Sequence, residues 1–513
     1  MSETVRFRYV YHAGLLIIAL LVFPYIFNSK LDLNGDNCHY YINASSLASG
    51  AGYCDMYGEP TANFPPGYPL LMTPLRFFTS SFVAQKILNL VFLFLGTLLL
   101  HSILLREGVR REIAFIISVA VLTTPHLLEF STMMMSEASC FFFIALAIWS
   151  YLHLPPSDGG IWRSRYLYVF LFAVVFSFYI RVQAIALVAA FVVALLVARR
   201  WRLSLSIVVT FALGYAPWVV RNVFLGLGRS RYFDQISFTS LGSKLKMLLV
   251  QALPESIVPY FDVNYMQTPS LMLWVIAAIM LSLAVCGLWQ LRSIRVVLYL
   301  FVSGSIGIVA IMDSPSLYRY LVILLPVITA AFIVGVWKIL LNVWRMCTKR
   351  ILSPWVLIIL LLPGFVHGGN SLFKHSLNDL HESNKSDYPP LFINTFSIVR
   401  ELAGRDNRVV VASRKPELIY LMEGVKGVPL IKFNGEEEAI RYLLDSKVDY
   451  LIVDDVALSV AGNNLVPIIS NNKEIFIVES YMGNPDVFLF RFDREKASEW
   501  LGKRCVQSPN PSR

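Results

Sequence analysis

Charge is what this chain has least of. Asp, Glu, Lys and Arg make up 15% of its 513 residues and hydrophobic residues 56%, with a mean hydropathy of +0.60. That balance excludes an ordinary soluble domain and points to a polytopic α-helical membrane protein. Cysteine is scarce too. The six cysteines have a spacing that excludes a zinc cluster. No cleavable leader is expected, because Tyr11 to Phe27 runs into Asn28-Ser29-Lys30 without a small-residue cleavage site and so reads as a retained span. The net charge of +10 does not point to nucleic acid, since the basic residues gather at span ends and orient the chain instead.

Apolar runs predict about eleven transmembrane helices, at 11–27, 82–104, 113–125, 138–153, 166–180, 183–198, 204–222, 271–290, 297–312, 317–337 and 354–369. The run Tyr166 to Ala198 is interrupted by Arg181 and Gln183. As one helix it would extend about 50 Å across a core of roughly 30 Å and bury Arg181 at mid-depth, so two short spans are expected with Arg181 at the extracytoplasmic surface. Arg106, Arg110 and Arg111, Arg163 and Arg165, Arg199 to Arg202, Arg292 and Arg295, and Lys338 to Arg350 then all fall on the side of the N-terminus. The positive-inside rule makes that side cytoplasmic. The chain therefore reads as a cell-membrane protein: a transmembrane domain over 1–370 with a first outer loop at 28–81, and a small extracytoplasmic α/β domain over 371–513.

That last domain should carry strands at 408–413, 428–432, 448–454, 475–480 and 487–492. Helices are expected at 416–423 and 436–445, the second capped by Asn434. Asp454-Asp455 reads as a strand end. Cys38 and Cys54 share the first outer loop and are expected to form a disulfide there.

The chemistry-bearing residues of the outer face form a short list. Asp36 follows the first span, where a carboxylate would act as a base on a lipid-borne substrate. His126, Glu129, Ser136 and Glu137 follow the third. A glutamate at the mouth of a span needs a wet cavity or a partner. Arg319, in the turn Asp313-Ser314-Pro315-Ser316-Leu317-Tyr318-Arg319-Tyr320, would point into the headgroup zone, where a guanidinium fork suits a phosphate. Acids able to activate a hydroxyl, beside arginines able to hold a phosphate, match sugar transfer from a lipid phosphate. No nucleotide-binding fold is visible on the cytoplasmic side, so the donor is expected to be lipid-linked.

Several of these elements occur in a recognisable order: an acid after the first span, Gly52-Tyr53, Pro65-Pro66-Gly67-Tyr68-Pro69, Ser136-Glu137, Pro217-Trp218 with Arg221-Asn222, and Arg319-Tyr320 before a span containing Pro326. In this the chain resembles the glycosyltransferase C superfamily, and within it the protein mannosyltransferase and aminoarabinose transferase branch. The resemblance implies Asp36 as catalytic acid of the first loop and Glu137 as the second acidic position. It implies Arg319, with Arg221, as contacts of the donor phosphate; Arg181, on the same outer side as Asp36, is expected to help there, and Tyr68, His126 and Tyr320 are expected at the substrate. Asn37 after Asp36 and Phe64 before the double proline depart from the family pattern. They leave open whether a divalent metal takes part and which residue supplies one phosphate contact. The expected activity is transfer of a sugar from a polyprenyl-phosphate donor to an extracytoplasmic lipid, glycan or protein, with membrane lipid around the enzyme and no nucleic acid partner. The competing readings are an envelope polysaccharide polymerase or ligase, and a lipid-linked sugar transporter.

Overall fold

The computed structural model describes residues 3–31, 35–155, 160–227, 235–257, 269–313, 317–347, 352–364, 366, 370, 392–406 and 408–507. They divide into two compact units. Residues 1–29 and 60–378 form one, and residues 30–59 and 379–513 form the other. The first outer loop therefore does not stay whole: 30–59 goes with the C-terminal residues and the remainder with the helices.

In chain order the helices of eight or more residues before the C-terminal residues are α1 (Glu3–Ile26), α2 (Gly35–Ala48), α3 (Gly67–Arg76), α4 (Phe82–Arg106), α5 (Arg111–Leu122), α6 (Pro125–Thr132), α7 (Glu137–Leu152), α8 (Arg165–Ile180), α9 (Ile185–Val197), α10 (Trp201–Phe224), α11 (Leu271–Gln290), α12 (Arg295–Ile311) and α13 (Leu325–Cys347). All except α2 belong to the helical unit. Among the described residues four helices are long and apolar enough to cross a membrane: α4, α10, α11 and the stretch Arg319–Cys347, with α5 and α6 a bent pair that makes a fifth. Five further apolar stretches are shorter, Val10–Ile26, Glu137–Leu152, Arg165–Ile180, Val182–Val197 and Arg295–Ile311; a 16-residue helix rises about 24 Å against a hydrocarbon core of about 30 Å. The protein is a multi-pass membrane protein with helix in each expected range.

Local chemistry sets the breaks. Ser81 accepts a hydrogen bond from the Val83 amide and starts α4, and Ser270 does the same for Leu273 at α11. The span expected at 113–125 does not give way to a loop. Pro125 cannot continue the ladder of α5, but its fixed φ suits a first helical position, so the chain bends by 50° and resumes as α6. The long run through Arg181 is broken as expected: Arg181 is extended (φ −144, ψ 126) and one 3₁₀ turn leads into α9. Glycines let helices approach at the backbone. A Cβ on Gly287 of α11 would lie 1.7 Å from the Ala331 carbonyl oxygen of α13, and one on Gly335 would lie 1.9 Å from that of Leu283, the small-residue contact by which apolar helices pack without a hydrophobic driving force.

The second unit contains a five-stranded sheet in the order β2-β1-β3-β5-β4, built from β1 (Val410–Ser413), β2 (Lys426–Pro429), β3 (Tyr450–Asp454), β4 (Phe476–Met482) and β5 (Val487–Phe492). β1 pairs in parallel with β2 and β3, and β5 lies antiparallel to β3 and β4. Helices α14 (Ile393–Arg405), α15 (Pro416–Glu423), α16 (Glu436–Asp445), α17 (Asp455–Asn471) and α18 (Arg494–Gln507) accompany it. Its core includes Ala412, Phe433, Ile440, Leu451, Phe476 and Phe490. Helix α16 spans the expected residues, but its N-cap is Gly435 rather than Asn434, and Glu438 reaches back to accept from the Asn434 amide. Asp454 ends β3 and caps α17 through the Ala457 amide at 2.7 Å, while also accepting from the Thr395 hydroxyl.

Residues 30–59 are built on α2, which ends where Gly50 and Gly52 take positive φ (80° and 90°), conformations that suit glycine. The expected disulfide is not formed. Cys38 and Cys54 are free, buried thiols, and helix geometry explains why: the Asn43 amide bonds the Cys54 carbonyl at 2.8 Å, so Cys54 lies opposite Asn43, about 7.5 Å along the helix from Cys38.

Candidate functional site

The Pro-Pro-Gly-Tyr-Pro element begins α3 and has a packing role. A Cβ on Gly67 would come within 2.5 Å of the Tyr179 carbonyl carbon and 2.7 Å of the Ile180 nitrogen, so only glycine lets α3 lie against the end of α8. The next residue after that contact is Arg181. Its Nη1 stands 2.6 Å from Glu137 Oε1 and donates to the Ser136 hydroxyl at 3.2 Å. Arg319, in the short helix Leu317–Leu321, brings its Nε to 2.9 Å from the same Glu137 oxygen. Glu137 is 0% exposed, Arg181 7% and the Arg319 side chain 13%. Tyr320 stands with its ring centre 5.7 Å from the Arg181 guanidinium, and Phe130 is 5.8 Å from that of Arg319.

One carboxylate oxygen thus holds two guanidiniums side by side in the interior. Burying any of the three alone would cost several kcal/mol, and the ion pairs offset that cost. Each guanidinium carries five N–H donors in a planar fork matched to phosphate oxygens. The cluster continues into α4. Tyr68 donates to Asn89 Oδ1 at 3.0 Å, Asn89 Nδ2 donates to the Met135 carbonyl at 2.9 Å, and Arg319 Nη2 lies 3.9 Å from the Met135 sulfur. Lys86, one turn before Asn89, is fully buried and donates to Asn28 Oδ1 at 2.8 Å.

Of the residues singled out in the sequence, Glu137, Arg181, Arg319 and Tyr320 therefore meet, and Tyr68 joins them through Asn89. Two expectations change. Arg181 is turned inward rather than lying on an open surface, and Arg319 is bonded to Glu137 rather than pointing out into headgroups. Arg221, at the end of α10, donates to the Thr61 carbonyl at 3.1 Å and to Asn222, over the Trp218 ring; it holds the segment that leads into Pro65. His126 faces Glu129 at 3.9 Å. Asp36 lies in the first turn of α2, in the other unit. At Glu137 the residues do not fit a divalent cation, which two guanidiniums at 2.6 and 2.9 Å would repel, and among the described residues no three His, Cys, Asp or Glu side chains group to hold one. Lys86 was missed in the sequence, where it stands only five residues into its helix and a lysine near a span end reads as a snorkelling cation.

No protein-family model matches the sequence, and no curated protein is similar to it. Solved structures are. ArnT from Cupriavidus metallidurans bound to undecaprenyl phosphate is similar over 93% of this chain and 97% of its own, with a TM-score of 0.60 at 12% identity. The fold is the glycosyltransferase C fold. The apo form of the same ArnT gives 0.59 at 13% identity, over 96% and 99% of the two chains. The oligosaccharyltransferase AglB from Archaeoglobus fulgidus, in complex with an inhibitory peptide and a dolichol-phosphate, gives 0.54 at 12% identity, over 90% and 72%.

Proposed function

We propose that this protein is a membrane glycosyltransferase that moves a sugar from a polyprenyl-phosphate donor to an extracytoplasmic acceptor. The observation that carries the reading is the buried pair of guanidiniums on Glu137 in a glycosyltransferase C fold, two of whose solved examples hold undecaprenyl phosphate and a dolichol-phosphate. In this reading Arg181 and Arg319 bind the donor phosphate and Lys86 adds a further cation. Glu137 aligns the two arginines, and Tyr68 and Tyr320 line the sugar side. Arg221 supports the segment before Pro65, and His126 is assigned to the acceptor.

Asp36 is the base. An acceptor hydroxyl gives its proton to the Asp36 carboxylate, its oxygen forms the new bond to the anomeric carbon, and the bond from that carbon to the phosphate oxygen breaks. The electron pair leaves with polyprenyl phosphate, whose charge the arginines stabilise. Counting the bent pair and the five shorter apolar helices as crossings gives ten among the described residues, and the apolar run expected at 354–369 makes eleven, with the N-terminus cytoplasmic and the sheet outside. A Lys432→Cys variant should then react with an impermeant thiol reagent in intact cells, and protection would reverse the orientation.

The test of function is sugar transfer by purified protein from a polyprenyl-phosphate sugar. Asp36→Asn should lower turnover by about two to four orders of magnitude with the thermal midpoint unchanged. Near-normal transfer by that variant would reject the base.

A further inference from the structure

The 30–59 segment packs with the C-terminal residues although more than three hundred positions separate them in sequence, and its attachment is specific at both ends. Near the start, His39 Nε2 lies 3.3 Å from a Glu417 carboxylate oxygen on α15, both side chains mostly covered. His39 is three positions after Asp36 on α2, so the two share a helix face. Lys415 is the N-cap of α15 and is half-buried. Burial and neighbouring Arg414 hold its ammonium below the usual lysine range, and Cys38, Asp36 and Glu417 pull it back up; Asp36 and Lys415 are therefore within electrostatic reach. Near the far end, the Tyr57 hydroxyl donates to the Gly427 carbonyl of β2 at 2.5 Å, under Lys426 at 5.6 Å from the ring centre. Burial first, then Asp55, Tyr442 and Glu417, push the Tyr57 hydroxyl up to about 12, so it keeps its proton and remains a donor at neutral pH. Between these clamps Tyr40, Ala44 and Cys54 are buried, as is Cys38 beside the first.

We propose that residues 30–59 are an arm of the sheet domain, and that Lys415 and Glu417 are positioning residues for the helix that carries Asp36. The C-terminal domain is then part of the machinery of transfer, since it fixes the carboxylate whose placement the reaction depends on. The inference rests on the reading of Asp36 as the base, but its physical part stands alone.

Hydrogen exchange on the full-length protein in detergent, with peptides covering 35–48, tests that part. Glu417→Ala and Lys415→Met should speed exchange there by about tenfold or more, leaving β1 and β3 unchanged as evidence that the sheet is folded. In the transfer assay both variants should lower kcat by roughly ten- to a hundredfold, as a misplaced catalytic group does, with donor KM unchanged. Lys415→Arg should restore both readouts. Wild-type exchange at 35–48 in both variants overturns the proposal. Faster exchange with full turnover, in a protein that Asp36→Asn inactivates, overturns it equally. If Asp36→Asn itself transfers normally, the base assignment fails while the exchange result still decides whether Lys415 and Glu417 hold the arm.

Discussion

Glu137 has two jobs that a single substitution separates. Its charge joins Arg181 and Arg319, and its shape fills the mouth of α7. Glu137→Gln keeps the shape and removes the charge, leaving two guanidiniums crowded in the interior around a neutral amide. Losing one member of a buried ion cluster costs about 3 kcal/mol or more, so the variant should show a clearly lower thermal midpoint and poorer saturation by donor. An unchanged midpoint would mean that the carboxylate does not organise the arginines. These three residues could be read in the sequence because each is a charge at the edge of an apolar run, where charge is expensive. Their mutual pairing could not, since Glu137 and Arg319 are brought together only by the packing of helices far apart in the chain. Lys86 was passed over for a related reason: near a span end a lysine reads as a snorkelling cation, and only the fold shows it fully enclosed.

At the scale of elements, the contact of α3 with α8 links a sequence motif to the arginine cluster. Gly67→Ala puts a methyl group into the backbone of Tyr179 and Ile180, which cannot move without moving Arg181. The expected result is a destabilisation of roughly 1–3 kcal/mol together with weaker donor use, read as a lower midpoint and a raised donor KM. Wild-type values for both would show that α3 does not support the site. The break at Arg181 was legible because an uninterrupted helix there would be too long for a bilayer, and most strands of the sheet were legible from alternating apolar residues between turns. Helix α6 was not, because Pro125 reads equally as a stop and as a first residue. The Cys38 and Cys54 pairing failed because loop spacing says nothing of the helix that runs between them.

For the whole molecule, hydropathy was enough to give the membrane class and the small C-terminal sheet, and motif order was enough to give the fold. The partnership of 30–59 with the C-terminal sheet was not readable, since neither the His39–Glu417 pair nor the Tyr57–Gly427 bond leaves a local signature. The central claim is that the arginines on Glu137 grip a polyprenyl phosphate. Mass spectrometry of lipid extracted from the purified protein tests it most directly. The wild-type protein should carry an isoprenoid phosphate, and Arg181→Ala and Arg319→Ala should each retain at least about tenfold less, as expected for a lost charge-assisted contact of 1.5–3 kcal/mol. An isoprenoid phosphate retained equally by all three proteins, or absent from the wild type, would contradict the account.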